Sequence, residues 1–487
     1  VDLLARIDNW GVVAPDRPAH ISEGQILTYG ELRAQSDVLA AWLENGLGDN
    51  RSPVAVKGHK ESEMLVAFLG AVKSGRPYVP IDTSIPAQRA ERIVTSAGAA
   101  VTLTPELVRE ALETPRAAVQ LQPVSGDDPY YIIFTSGSTG EPKGVVITLN
   151  CLTTFVTWTL GEQKFPELNE TFLNQAPFSF DLSVMDLYSS LASGGTLFSV
   201  TKEAIANSRE LYRAFGGSGI TTWVSTPSFA QMCLVERSFG PAMLPGLRRF
   251  WFCGETLANE TAAQLLDRFP EAEVWNTYGP TEATVATTSI RVDRQVLAEH
   301  APLPVGYVMP GTRIAILDEN RAEVPEGERG EIVIIGPNVS PGYLGRPDLT
   351  EKAFFKVGEL RAYRTGDWGR NRGGLIFFEG RMDSQIKLHG YRIELGDIES
   401  HLRNLPQIAD AVVLVSEKNG RPDSLAGFVV LRERGSGSDF EVSLQLKKLL
   451  ADRLPNYMVP RKFWFLEAFP MTANGKADRR KLAELLR

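Results

Sequence analysis

Apolar residues fall in short blocks along this chain, and polar or glycine- and proline-bearing stretches separate the blocks. A brief continuous block predicts a strand, and apolar positions recurring every three or four residues predict a helix. Leu27-Thr-Tyr-Gly-Glu-Leu32 opens a helix with Leu39, Ala40 and Leu43 on one face. Pro53 to Val56 predicts a strand, Ser62 to Lys73 a helix stopped by Ser74-Gly-Arg-Pro77, and Tyr78 to Asp82 a return to extended chain. Tyr131 to Phe134 and Val145 to Ile147 predict two strands around a small, polar, glycine-rich loop. Gly219 to Phe229 and Leu247 to Glu255 each read as a strand running into a loop, and Glu273 to Ala286 as a strand entering a Gly279-Pro280 turn. Strands alternating with helices indicate a layered α/β architecture. Past Phe378 to Glu394 a new pattern starts, with blocks at Leu395 to Leu402, Ala411 to Val415, Ala426 to Leu431 and Val442 to Leu454. That tail can bury only a small core, so it is expected to move as a unit.

At 487 residues the chain exceeds what one core organises, and two or more domains are expected. A formal charge of −8 argues against nucleic acid as the main partner, because neutralising phosphates needs clustered Lys and Arg. Cys151, Cys233 and Cys253 form no disulfide framework and suit a reducing cytoplasm, and the five histidines show no metal-ligand spacing. There is no apolar run long enough to span a bilayer and no signal peptide, so direct membrane insertion is not expected.

The loop between the two strands carries the first candidate chemistry. Gly137, Gly140 and Gly144 let backbone approach a ligand. Thr135, Ser136, Ser138 and Thr139 add hydroxyls and Lys143 a cation, which together make a phosphate cradle. It is not the G-x-x-x-x-G-K-[ST] loop: Pro142 stands where that motif needs Gly, and Gly144 where it needs Ser or Thr. Asp181 sits among Phe178, Phe180, Leu182, Val184 and Met185. A carboxylate in apolar company needs a partner. It reads either as a helix N-cap or as the counter-charge for a substrate ammonium. Asn276 and Tyr278 offer an amide and an aromatic face for a purine, and Thr281 and Glu282 oxygen ligands suited to Mg²⁺. Cys253 falls at a strand end, and Lys476 follows Asn474-Gly475 on a tight turn.

The stretch Tyr131-Ile-Ile-Phe-Thr-Ser-Gly-Ser-Thr-Gly-Glu-Pro-Lys-Gly-Val-Val-Ile-Thr148 resembles the signature of the adenylate-forming enzymes, which include acyl-CoA synthetases, luciferases and the adenylation domains of nonribosomal peptide synthesis. Asn276-Thr-Tyr-Gly-Pro-Thr-Glu282, Arg361-Ala-Tyr-Arg-Thr-Gly-Asp367, Phe378 to Glu394 and Met471 to Arg480 resemble the family's later motifs, in the family's order. The resemblance implies an α/β fold. A large layered N-terminal domain with a small β-barrel subdomain, residues 1–381, would be followed by a small mobile α+β domain, residues 382–487. Gly330 to Gly336 and Pro341 to Leu344 resemble a structural strand pair.

It also implies a two-step ligation that uses ATP and Mg²⁺. A carboxylate is adenylated with release of pyrophosphate, then passed to a thiol. Thr135, Ser136, Gly137, Ser138, Thr139, Gly140 and Lys143 would hold phosphates. Asn276, Thr277, Tyr278, Gly279, Pro280 and Thr281 would form the adenine turn, Glu282 would ligate the metal, and Asp367 would take the ribose hydroxyls. Phe378, Gly380 and Arg381 would also line the nucleotide, Asp383 would be the hinge, and Lys476 the catalytic lysine. Members that activate amino acids carry an Asp at the position of Asp181, and Cys253, Thr277, Val285 and Ala286 would surround the substrate Cα. In detail Asn174 to Asp186, Phe252 to Glu255 and Asn276 to Ala286 most resemble the family's D-alanine activators, which charge the phosphopantetheine thiol of a carrier protein and feed teichoic acid D-alanylation. No carrier domain follows Lys476, so a D-alanyl carrier protein acting in trans is expected. A stand-alone peptide-synthetase enzyme for another small amino acid is the alternative. Asp181 weighs against an acyl-CoA synthetase, and Lys476 against a nucleotide binder without chemistry.

Overall fold

The computed structural model describes residues 2–115, 117–136, 141–163, 165, 167–382, 385–418, 421–433, 438–471 and 477–486. The chain forms two compact units. One comprises Val1–Asp82, Ser96–Phe134 and Gly144–Met382; the other comprises Thr83–Thr95, Thr135–Lys143 and Asp383–Arg487.

The larger unit is built on three sheets. In the nine-stranded sheet the strands Pro18–Ser22, Thr196–Ser199, Thr171–Asn174, Thr222–Ser225, Arg249–Phe252 and Glu273–Tyr278 are consecutive and parallel. Antiparallel strands flank this parallel block on both sides. A second, six-stranded sheet has Tyr78–Asp82 beside Pro129–Thr135, and Lys143–Thr148 beyond it. Buried parallel strands read as continuous apolar runs, as Val54–Gly58 and Tyr78–Asp82 do. The helix Tyr29–Leu47 starts at a reciprocal capping box between Thr28 and Glu31. The expected helix at Ser62 to Lys73 is present over those residues, and so deeply packed that Met64 to Lys73 are all buried. The helix Leu182–Ser193 is buried on every side.

The third sheet has five antiparallel strands, Arg313–Leu317, Gly330–Ile335, Leu360–Arg372, Phe354–Val357 and Leu375–Arg381, in the region where the small β subdomain is expected. Two local expectations need correction. Gly330–Ile335 does not pair with the 341–344 segment: Gly342 and Tyr343 pair instead with Val146 and Val145, whose strand offers that segment a free edge. The strand Thr222–Ser225 runs almost directly into a helix, Pro227–Leu234, rather than a loop. Pro227 opens its first turn, where a missing N–H costs nothing.

In the smaller unit Ile408–Lys418 and Arg421–Leu431 pair antiparallel, and Lys462–Leu466 adds in parallel to the second of them. The helices Leu395–Arg403 and Asp439–Ala451 pack Ile398, Leu402, Leu446 and Leu450 into one core with Val413 and Val429. The hairpin Gln385–Leu388 to Tyr391–Glu394 turns through His389 (φ 51°) and Gly390 (φ 84°), the two positive values a tight two-residue hairpin loop requires.

Candidate active site

The strand Glu273–Tyr278 carries three of the sequence-predicted residues, Asn276, Thr277 and Tyr278. Asn276 donates from Nδ2 to the Pro304 carbonyl at 2.8 Å, and Thr277 donates from Oγ1 to the Phe252 carbonyl of the neighbouring strand at 2.8 Å. Tyr278 donates its hydroxyl to Asp367 Oδ2 at 2.5 Å, and Arg381 Nη1 donates to Asp367 Oδ1 at 2.6 Å. Arg381 also holds the Thr365 carbonyl, and the Asp367 amide donates to Thr365 Oγ1. Asp367 is therefore fixed in place and paired on both oxygens. A carboxylate has about four lone-pair sites, so two remain for a diol. Burial, then the Asp367 charge, push the Tyr278 phenol well above its ordinary range, so it stays protonated and donates. The ring of Phe378 lies 5.8 Å from that of Tyr278, which gives two tilted aromatic faces in one spot.

Beyond Gly279 and Pro280 the backbone is strained. Pro280 caps the short helix Thr281–Ala283, after which Thr284 (φ 55°) and Val285 (φ 67°) both take the left-handed region. For a β-branched residue that conformation costs of order 1–3 kcal/mol. The strain is held from outside. Thr284 Oγ1 donates to the Asn338 carbonyl at 2.7 Å, Asn338 Nδ2 donates to the Ala283 carbonyl at 2.9 Å, and the Ser340 amide donates to the Glu282 carbonyl at 2.9 Å. The result folds Val285 and Ala286 back over the strand end. A Cβ on Gly279 would lie 2.5 Å from Ala286 Cα, so this position admits only glycine. Cys253 Sγ stands 3.6 Å from the Val285 carbonyl, and Cys253, Val285 and Ala286 share one apolar core with Ala176, Phe178 and Leu182. The four residues expected around a substrate Cα are thus gathered on adjacent backbone: Thr277 faces the Phe252 carbonyl that precedes Cys253, and Cys253 meets Val285.

Asp181 occupies the N-cap position of the helix Leu182–Ser193, yet its side chain makes no capping hydrogen bond. It is half-buried, between Phe180 and the buried Leu182 in the chain. Five residues on, Asp186 is fully buried and accepts from Asn174 Nδ2 at 2.5 Å, and burial pushes its carboxyl up to about 8. Glu282 is also fully buried, and its Oε1 accepts from the Tyr343 hydroxyl at 2.8 Å. Among the described residues no cluster of three or more His, Cys, Asp or Glu could cage a metal. Mg²⁺ does not need a cage, because it takes one or two carboxylates and completes its shell with phosphates and water. The Glu282 donor set fits that habit.

On the glycine-rich loop, Thr135 ends the strand Pro129–Thr135 with a buried hydroxyl that has no hydrogen-bond partner among the described residues. An orphaned buried donor calls for a partner of some kind. Ser136, within the smaller unit, donates to the Arg392 carbonyl at 3.0 Å and accepts from the Glu394 amide at 3.1 Å. Lys143 opens the strand Lys143–Thr148 and is half-buried, and Gly380 has a φ of 102°. Gly137, Ser138, Thr139, Gly140, Asp383 and Lys476 lie outside the described residues.

Sequence reasoning passed over the braces of this site. Asn338 and Tyr343 lie far along the chain from the loop they hold, and nothing in their local pattern marks them. Lys60 is buried with its amine on Asn174 and on the Ala176 carbonyl. A charged residue before the helix Ser62–Lys73 reads locally as an exposed helix flank.

Residues 7–344 match a family described as AMP-binding enzyme, and residues 397–476 match its C-terminal domain. The chain is 48% identical over 499 residues to a D-alanine--D-alanyl carrier protein ligase of Bacillus anthracis, an alignment covering 99% of this chain and 98% of that protein. A ligase of the same name from Bacillus cereus is 48% identical over 500 residues, with the same coverage. Among solved structures, an NRPS protein containing adenylation and PCP domains, bound to a vinylsulfonamide inhibitor, superposes with a TM-score of 0.84 at 27% identity, covering 99% of this chain and 84% of that one. An o-succinylbenzoate CoA synthetase from Bacillus subtilis reaches a TM-score of 0.86 over 99% of this chain and 98% of that one; at 21% identity that likeness concerns the fold alone.

Proposed function

The chain belongs to the AMP-binding enzyme family, and we propose that it activates D-alanine with ATP and transfers the D-alanyl group to a carrier protein. In the first step a carboxylate oxygen of the amino acid attacks the α-phosphorus, the bond to the β-phosphate oxygen breaks, and pyrophosphate leaves. In the second, the thiolate of the carrier's phosphopantetheine attacks the acyl carbon, a thioester forms, and AMP leaves. The first step joins two anions, so it needs positive charge held ready where negative charge gathers. Lys476 is assigned that role, and Lys143 with the hydroxyls of Thr135, Ser136, Ser138 and Thr139 the departing pyrophosphate. Asn276, Tyr278, Phe378 and Arg381 are assigned to the nucleoside, with Asp367 on the ribose. Glu282 would hold Mg²⁺, which when bound would supply neutralising charge to the phosphates. Residues 382–487 are assigned the mobile lid, turning at Asp383 between the two steps. The cytoplasm is the compartment proposed, where ATP is present and where the three buried cysteines stay free thiols. Among the described residues no helix is long and apolar enough to cross a membrane. Teichoic acid D-alanylation is the process proposed to consume the product.

The observation that carries the amino-acid reading is Asp181. It is half-buried at a helix N-cap position without capping the helix amides, which favours the counter-charge reading over the N-cap reading. The test is pyrophosphate exchange with D-alanine, L-alanine and glycine. D-alanine is expected to be the best substrate. Glycine should be weaker but real, since one methyl contributes about 0.8 kcal/mol. A preference for L-alanine would move the assignment to another small amino acid.

A further inference from the structure

Lys60 is 2% exposed, an uncommon place for an ammonium, and its contacts converge on one short stretch of chain. Its Nζ donates to Asn174 Oδ1 and, at 2.5 Å, to the Ala176 carbonyl, and it lies 4.5 Å from the ring centroid of Phe178. These three residues span the link between the strand Thr171–Asn174 and the helix that begins after Asp181. From Pro177 onward the link winds directly into the helix: the Phe180 amide donates to the Pro177 carbonyl, and the Val184 amide to the Asp181 carbonyl. Where residues 174–178 sit therefore decides where Asp181 starts.

The grip on Asn174 is reinforced by two more side chains, one of them backed by a third. Asn174 Nδ2 donates to Asp186 Oδ2, Ser199 Oγ donates to Asn174 Oδ1 at 2.8 Å, and His20 Nε2 meets Ser199 Oγ at 2.9 Å. His20 is itself fully buried, with Nδ1 on Ser62. Burial lowers the Lys60 ammonium and raises the Asp186 carboxyl, and the attraction between them opposes both shifts. Whichever of the two holds the proton, the amine keeps at least two N–H donors, enough for Asn174 and Ala176. A lysine is an expensive way to fill an apolar site, since a buried charge or amine stabilises only when paired. Its value here is directional: it ties a carbonyl, an amide and an aromatic ring of one loop to a single point.

We infer that Lys60 is a positioning residue for amino-acid recognition, which sets Asn174, Ala176 and Phe178 and through them aims the Asp181 carboxylate at the substrate ammonium. This rests on the ammonium reading of Asp181. The test uses Lys60→Met, the charge-balanced pair Lys60→Met with Asp186→Asn, and each of these combined with Asp181→Asn, in pyrophosphate exchange with D-alanine, with thermal melting as the check on folding. The balanced pair removes the carboxyl that Lys60→Met alone would leave uncompensated. The expected result is a KM for D-alanine raised about tenfold with the KM for ATP within about twofold of wild type. With Asp181→Asn already present, removing Lys60 should add less than about twofold, because the group it aims is gone. An unchanged D-alanine KM, a parallel rise in both KM values, or an undiminished effect beside Asp181→Asn would each overturn the inference. If Asp181→Asn alone leaves the D-alanine KM unchanged, the ammonium reading falls, whatever Lys60 does.

Discussion

Two carboxylates at this site are presented in opposite ways. Asp367 is held on both oxygens, by Tyr278 on one and Arg381 on the other, and its strand lies inside a five-stranded sheet. Asp181 is half-buried at the start of a helix it does not cap, on a link steadied from a distance by Lys60. The difference suits the roles proposed for them, a ribose at Asp367 and an ammonium at Asp181. A ribose offers neutral hydroxyls in a fixed geometry, and a preorganised acceptor binds them at little reorganisation cost. An ammonium brings a full charge, and the anion that meets it must keep enough solvation to remain ionised without it. One carboxylate is held by two side chains, the other stands half-buried at a helix start.

If both ends only bind, the rate must come from a third group, and removing it should have the largest effect. Lys476→Ala is expected to lower kcat for pyrophosphate exchange about 10²–10³-fold, with ATP binding still measurable by calorimetry. Near-normal exchange would return the chemistry to the residues already seen in place. Breaking the charged end comes next. Asp181→Asn should raise the KM for D-alanine roughly 10–100-fold and leave that for ATP nearly unchanged, as a lost hydrogen bond to a charged group would. If both KM values rise together, the two ends are not separable.

The Asp181 end can also be sharpened rather than broken. Cys253 Sγ lies against the Val285 carbonyl, and on the proposed reading that sulfur would occupy the space the L-methyl needs. Cys253→Ala should lower the D/L ratio of kcat/KM about tenfold, the size of relieving one steric clash. An unmoved ratio makes this cysteine ordinary packing. The smallest effect belongs to the Asp367 end. Tyr278→Phe removes one of the two partners of Asp367 while Arg381 keeps the other, so the KM for ATP should rise only a few-fold, and that for D-alanine not at all.

Much of the architecture was legible along the chain. The apolar block at Tyr78 to Asp82 and the amphipathic run at Ser62 to Lys73 carry their own periods, and they fold where those periods say. Turn chemistry was legible too, since Gly279 and Gly390 mark places that a side chain would block or strain. The pairing of Gly342 and Tyr343 was not, because a two-residue strand has too little pattern to name its neighbour. Nor do Thr284 and Val285 announce positive φ, a conformation their own side chains resist. The hydrogen bonds between Asn338 and their turn hold them there.

The sequence by itself determined the periods, the turns and the kinds of groups available: hydroxyls and a lysine on a glycine-rich loop, an amide and a phenol on one strand, and acids placed among apolar neighbours. Only the tertiary structure decided what each acid became. Asp181 and Asp186 are the same residue type, five positions apart at the head of one helix, and local pattern treats them alike. Asp186 is sealed against Asn174 while Asp181 stands half-exposed at the helix start. That difference is set by segments as distant as His20, Lys60 and Ser199, and burial and partner choice depend on such long-range contacts, which no local window contains.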